Sequence, residues 1–239
     1  GSANKLIDQC DFINKKPLNE NCYVPNSRFR YKVFLWGDST IQMLTYGLLK
    51  HLPHNWQLLQ IASRGCPLRL EWLNSNSDYC THSNYYAYEK IKLAAPDVVV
   101  LSAHSIPSIY INHDIFLKFI SELSNIGVKK VILVGSPPIW NERLPSYVSR
   151  RIRYKNQYSQ DGFDSEQLSL DDGLEKSLFV LGGGSQFVNL GKIFCSLEGC
   201  KIFVGTSIDE GITTLDRFHL SAAGSEYLAR SRLIEAIIY

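Results

Sequence analysis

No stretch of the sequence reaches the roughly 18 to 20 consecutive apolar residues that span a bilayer, and its start lacks the basic, apolar and small-residue order of a secretory signal. A helical membrane span within the chain is thereby excluded, and the chain as given is expected to be soluble. Neither sign of charge dominates. The 25 lysines and arginines face 23 acids, a formal charge of +2, so charge gives no reason to expect nucleic acid as a partner. Internal repeats and low-complexity tracts are missing too, which excludes solenoid and fibrous architectures. What is present, 45% hydrophobic and 12% aromatic residues, suits a folded chain with a sizeable core. At 239 residues, one domain is expected.

Gly1-Ser2-Ala3 reads as a tag remnant, and the polar stretch that follows, as far as Pro25, shows little periodicity. Residues 1–30 are therefore assigned to that remnant and a linker cut from something larger, and residues 31–239 to a single domain. Cys10, Cys22, Cys66, Cys80, Cys195 and Cys200 fall into three sequence-local pairs, which read as three disulfides and place the protein in an oxidising compartment. Local pairing is the simplest of many connectivities. The rival is zinc, but Cys195-x4-Cys200 lacks a second ligand pair at finger spacing and Cys80-Thr81-His82 stands isolated.

A β-branched and aromatic run at residues 31–36 is closed by Gly37-Asp38-Ser39-Thr40, after which Ile41, Leu44, Leu48 and Leu49 recur at helical spacing. This predicts strand, sharp turn, helix. A second strand at 56–61 ends at Ser63-Arg64-Gly65-Cys66-Pro67, and the stretch as far as Tyr88, rich in Asn, Ser and Tyr, predicts a surface loop. The apolar runs at 98–101 and 130–134 read as strands covered on both faces, separated by an amphipathic helix marked by Phe116, Phe119, Ile120 and Leu123. Residues 141–172 read as a polar, basic excursion with a helix, 186–190 as the last core strand, and Ser221 as the N-cap of a closing helix. Together these predict a three-layer α/β/α sandwich, a flavodoxin-like parallel sheet of four or five strands. Such sheets carry their sites beyond the carboxyl ends of the strands.

Ser39 falls at that edge, directly after the first strand and opening a helix. A serine hydroxyl needs a base, and Asp216-Arg217-Phe218-His219 offers one before the last helix. With two residues between acid and histidine, one turn carries both: Asp216 fixes the imidazole tautomer while the other ring nitrogen faces Ser39. Taken singly, each motif has a plainer reading. Gly-Asp-Ser is a common turn triplet, and Asp216 with His219 would suit a hydrogen-bonded loop capping the helix. Together they form a Ser-His-Asp acyl-transfer triad.

These blocks resemble those of the SGNH hydrolase superfamily, Gly-Asp-Ser near the N-terminus and Asp-x-x-His near the C-terminus. The flanks Phe34-Leu35-Trp36-Gly37-Asp38-Ser39, Gly65-Cys66-Pro67-Leu68, Pro96-Asp97-Val98-Val99-Val100-Leu101, Cys195-x4-Cys200 and Asp216-x-x-His219-Leu220-Ser221-x-x-Gly224 extend the likeness over roughly residues 31–230. They are similar to the periplasmic SGNH domain fused to type-3 membrane acyltransferases, bacterial enzymes that O-acetylate surface polysaccharides. The resemblance implies Ser39 as nucleophile, His219 as base, Asp216 as its orienting partner, and the backbone amides of Ser39 and Gly65 as oxyanion donors. Glycine suits that last role because no side chain blocks the approach of its amide, although a turn glycine is the plainer reading. One departure stands out. The superfamily usually adds an oxyanion donor from the Asn of a Gly-x-Asn block after the third strand, and here Leu101-Ser102-Ala103-His104-Ser105-Ile106-Pro107 has none. Losing such a donor costs roughly 2.7 to 4 kcal/mol of transition-state stabilisation. His104 and Ser105 are the substitutes this loop offers, unless they only line the cleft. By the resemblance, sugar-modifying fused domains also tend to lack this Asn.

The resemblance therefore implies a periplasmic domain of a bacterial inner-membrane protein. In it, acetyl would pass through a Ser39 acyl-enzyme to a sugar hydroxyl of a surface polysaccharide such as lipopolysaccharide O-antigen. The expected partners are the glycan acceptor and an N-terminal transmembrane acyltransferase domain, which would bring acetyl from acetyl-coenzyme A. No bound cofactor or metal is expected in the domain itself. A carbohydrate esterase or lipase-like hydrolase would use the same residues with water as acceptor, and a non-catalytic glycan-binding module is the alternative of a different class. Arg143, Arg150, Arg151, Arg153 and Lys155, interleaved with Tyr147, Tyr154 and Tyr158, form the one local basic cluster. It reads as a solvated helix face, or as a surface for an anionic glycan, the membrane or the partner domain.

Overall fold

The computed structural model of the chain describes residues 2–12, 17–70, 78–102, 113–150, 156–181 and 185–239. Among them, eight strands form two sheets. β1 (Tyr31–Gly37), β2 (Trp56–Ala62), β3 (Val98–Ser102), β4 (Lys130–Val134) and β6 (Ser185–Val188) are parallel, in the order β2-β1-β3-β4-β6. β5 (Tyr158–Ser159), β7 (Cys195–Ser196) and β8 (Gly199–Lys201) make a small antiparallel ribbon.

Each central strand is a run of apolar residues because both faces of the parallel sheet are covered. Successive side chains go to opposite faces. Phe34, Trp36, Val99 and Leu101 pack against Ala87 and Ile91 of the helix Tyr79–Ala94 and Phe119 and Leu123 of the helix His113–Asn125. Val33, Leu35, Val98 and Val100 pack on the other side, with Leu48 of the helix Thr45–His51 and with Leu228, Leu233 and Ile237 near the C-terminus. This is the expected three-layer sandwich, with five strands. The strand order reverses direction between β1 and β3, and the crevice at their carboxyl ends is where such sheets bind ligands.

Two stretches differ from the sequence-based expectation. The helix Tyr79–Ala94 occupies ground that composition assigned to a surface loop. Its start is fixed by Asp78, whose Oδ1 accepts the Thr81 amide at 2.8 Å. Its buried stripe is small and polar, Ser83, Asn84 and Ala87 ahead of Ile91 and Ala94, so no strong apolar period announces it. The second is the N-terminal stretch assigned to a linker. Cys10, Phe12, Leu18 and Cys22 are buried in the core, the Phe12 amide donates to the Ala62 carbonyl at 2.7 Å, and the Ala62 amide donates to the Cys10 carbonyl at 2.9 Å. A bridge of one residue and a disulfide leave no periodic trace in a sequence.

All six cysteines pair as neighbours in sequence: Cys10–Cys22, Cys66–Cys80 and Cys195–Cys200. Constraint of the unfolded chain grows with loop length, so Cys10→Ser with Cys22→Ser should cost about 3 kcal/mol and opening the short Cys195–Cys200 loop about 2 kcal/mol. Urea denaturation of each pair variant checks the order, and a midpoint unmoved by the first pair would contradict it.

Candidate active site

β1 ends against β3 so closely that a side chain at position 37 would strike the Ser102 carbonyl oxygen, 1.7 Å from the place of a Cβ. Only glycine fits. The chain then turns, and the Asp38 amide donates to that same carbonyl at 3.3 Å. Asp38 Oδ1 accepts the Thr40 amide at 2.8 Å and the Thr40 hydroxyl at 2.7 Å, capping the short helix Ser39–Gln42. With its proton committed to Asp38, Thr40 Oγ1 accepts from Ser102 Oγ at 2.9 Å. Asp38 thus fixes the turn. Ser39, half-buried at its head, is free to point elsewhere.

It points to His219. Ser39 Oγ lies 2.8 Å from His219 Nε2, and His219 Nδ1 lies 2.7 Å from Asp216 Oδ2. Asp216 Oδ1 accepts the backbone amides of Phe218, at 2.9 Å, and His219, at 2.8 Å. Partial burial raises the Asp216 carboxyl, but the Phe218 amide, the His219 amide and the His219 ring together outweigh it and hold the carboxyl below the usual aspartate value. The stability it lends is fully present above that usual value and is lost as the pH falls through its lower folded value. An ionised carboxylate can only accept, so in the neutral imidazole Nδ1 carries the proton and Nε2 is left to accept from the Ser39 hydroxyl. The three residues expected to form the triad are brought within hydrogen-bond distance of one another.

The loop bearing Asp216 and His219 is tied down by a residue that sequence reading passed over. Trp140, fully buried, donates its amide to the Arg217 carbonyl at 2.7 Å and accepts from Arg217 Nε at 2.8 Å, while the Leu144 amide donates to the Asp216 carbonyl at 3.1 Å. Its signal was a tryptophan in a polar stretch just beyond the carboxyl end of β4. Phe218 tilts against the His219 ring with centroids 4.2 Å apart and limits its rotation.

Gly65 lies in the loop after β2 at the same sheet edge. The Ser63 amide donates to the Gly37 carbonyl at 2.9 Å, which joins this loop to the Ser39 turn. Gly65 has φ +71°, a hand that favours glycine, and nothing lies within 4 Å of the place a Cβ would take. His104 and Ser105, the suggested substitute donors, lie outside the described residues. So do Arg151, Arg153, Tyr154 and Lys155 of the basic cluster. Of its remaining members, Arg143 and Arg150 are exposed, and the two tyrosines do not lie on a solvated face with them. Tyr147 is buried beside Trp140 with its hydroxyl on Ser159 and Asp161, Tyr158 stacks under Lys201 Nζ at 4.3 Å, and Arg150 pairs with Glu142.

Residues 9–231 match the family described as the SGNH domain fused to AT3 domains. No curated protein matches the chain. Among solved structures, the periplasmic domain of the lipopolysaccharide acetyltransferase of Salmonella ser. Paratyphi A superposes with a TM-score of 0.78 over 99% of this chain and 95% of its own, at 20% identity. That likeness shows a common fold. The C-terminal catalytic domain of peptidoglycan O-acetyltransferase A of Streptococcus pneumoniae, which carries a methylsulfonyl adduct, is also similar at 13% identity, covering 87% of this chain and 91% of its own. Its TM-score of 0.37 is too low to build on.

Proposed function

We propose that this chain, which belongs to the family of SGNH domains fused to AT3 domains, is an O-acetyltransferase domain that moves acetyl through Ser39 to a sugar hydroxyl of a bacterial surface polysaccharide. The observation that carries the reading is the unbroken hydrogen-bond line from Ser39 Oγ through His219 to Asp216. Membership of a family fused to membrane acyltransferase domains supports a donor handled upstream, with acetyl arriving from acetyl-coenzyme A, and a periplasmic location for this domain. The fold shared with a lipopolysaccharide acetyltransferase domain is consistent with a glycan acceptor.

In the first half-reaction Ser39 Oγ bonds to the acyl carbon as its proton passes to His219 Nε2, and that proton then leaves with the departing donor group. In the second, a sugar hydroxyl attacks the same carbon while His219 Nε2 takes its proton. The bond to Ser39 breaks, and the proton returns to Ser39 Oγ. Asp216 holds the ring through both halves and stabilises its charged form. The amides of Ser39 and Gly65 would face the carbonyl oxygen as it becomes negative, with His104 or Ser105 completing the set.

The test is intact-mass spectrometry of the wild type and Ser39→Ala after brief exposure to p-nitrophenyl acetate, with and without polysaccharide. An acetyl adduct on the wild type alone that moves to the sugar is the expected result. An adduct lost only to water would replace transfer by esterase chemistry. No adduct on either chain would overturn the acyl-enzyme and favour a glycan-binding module.

A further inference from the structure

We propose that Asp11 is a positioning residue of this site: acting through Arg64, it holds the loop that carries Gly65 and thereby sets the rate at which Ser39 is acylated. The inference rests on the acyl-enzyme reading above and adds to it a group from outside the motif blocks.

On the side where a Cβ would stand, nothing lies within 4 Å of Gly65, so no side-chain packing there holds it. The aim of its amide is therefore inherited from its neighbours. On one side Cys66 is fixed by the disulfide to Cys80 and by its amide, which donates to the Ser63 carbonyl at 3.0 Å. On the other side stands Arg64, and what holds Arg64 is Asp11. The Asp11 backbone is bridged to Ala62, the last residue of β2. Its side chain is 3% exposed, and Oδ2 lies 2.6 Å from Arg64 Nε. The contact is ionic rather than a directed hydrogen bond, because the Nε hydrogen points to Gln42 Oε1 at 3.4 Å.

Gln42 closes the connection. It is the last residue of the helix Ser39–Gln42, and its amide nitrogen donates to the Ile7 carbonyl at 3.5 Å. The helix of the nucleophile, the loop of the oxyanion donor and the N-terminal segment thus meet at one cluster of Asp11, Arg64 and Gln42. Burial pushes the Asp11 carboxyl above the usual aspartate value, and Gln42 and Arg64 offset that only in part. A carboxylate so placed is costly to leave alone, which keeps Arg64 where it is.

The experiment compares wild type, Asp11→Asn and Asp11→Glu for the burst of p-nitrophenolate at varied p-nitrophenyl acetate, with thermal unfolding alongside. Asp11→Asn keeps the shape and removes the charge. We expect its acylation rate at saturation to fall about tenfold to a hundredfold, as a misplacement of about an ångström does, with KM unchanged and the chain folded. Asp11→Glu should recover part of the rate, and Asp11→Asn with Arg64→Gln should be no slower than the slower single variant. Wild-type acylation in Asp11→Asn, or additive losses that follow the unfolded fraction, would overturn the proposal. Should Asp11→Asn not fold, Gln42→Met, which cuts the connection and keeps both charges, must show the same loss at constant KM or the proposal falls. A wild type that takes no acetyl would remove the acyl-enzyme reading and this inference together, whereas an active wild type with an equally active Asp11→Asn removes this inference alone.

Discussion

Asp216→Asn is expected to fold and to lose about four orders of magnitude in Ser39 acylation. The amide oxygen of asparagine can still accept the Phe218 and His219 amides, so the loop should keep its shape. Its nitrogen, however, would face His219 Nδ1 as a donor. Nδ1 would then give up its proton, Nε2 would carry one, and a protonated Nε2 cannot accept the hydroxyl proton of Ser39. The loss should fall on the acylation rate constant rather than on KM, because the tautomer is wrong and the cleft unchanged. Burst kinetics with p-nitrophenyl acetate measure it. A fall of less than about tenfold would mean that Asp216 does not set the state of the ring, and the triad would reduce to a serine and a histidine.

The second large effect is expected at Gly37→Ala, this time in stability. The added methyl would stand 1.7 Å from the Ser102 carbonyl oxygen and 2.8 Å from its carbon. Both are backbone atoms of β3, and Gly37 pairs directly with Ser102 in the register between β1 and β3, so neither strand can step aside without breaking the centre of the sheet. Losses above about 4 kcal/mol are exceptional for single substitutions and need a mechanism of this kind. Urea denaturation should show a loss of that size or a chain that does not fold. A normal midpoint would require that β1 and β3 can part at this end without cost.

Why some of this was legible and some was not follows from the kind of signal each part leaves. The sheet is written in runs such as Val98-Val99-Val100-Leu101, since strands covered on both faces need apolar residues throughout. That Ser39, Asp216 and His219 come together could be read from the sequence because a triad demands close spacing within each block and a turn at a strand end. The helix Tyr79–Ala94 was lost because its buried face is small and polar. Trp140 and Asp11 act through backbone bridges and single ion contacts, which depend on chain segments brought together only by the fold. The tyrosines of the basic stretch misled for a related reason. Tyr147 and Tyr158 alternate with arginines in sequence yet turn inward, one to Trp140 and the other to Lys201.

The hydrogen bond between Ser39 and His219 joins residues 180 positions apart, which has a consequence for the order in which the chain folds. β1 and β2 pair across the helices Ser39–Gln42 and Thr45–His51, and β3 and β4 join them with further helices between. His219 lies just ahead of the helix Ala222–Leu228, which packs on Thr45–His51, where the Gly47 amide donates to Ser225 Oγ at 2.9 Å. Contacts between such distant segments bear the largest loop-closure cost and are the slowest to form. A nascent or half-folded chain therefore carries a serine with no proton acceptor beside it. On the proposed acyl-enzyme chemistry, Ser39 would gain its base only with completion of the fold, and an unfinished chain would be acylated only slowly by the esters it meets.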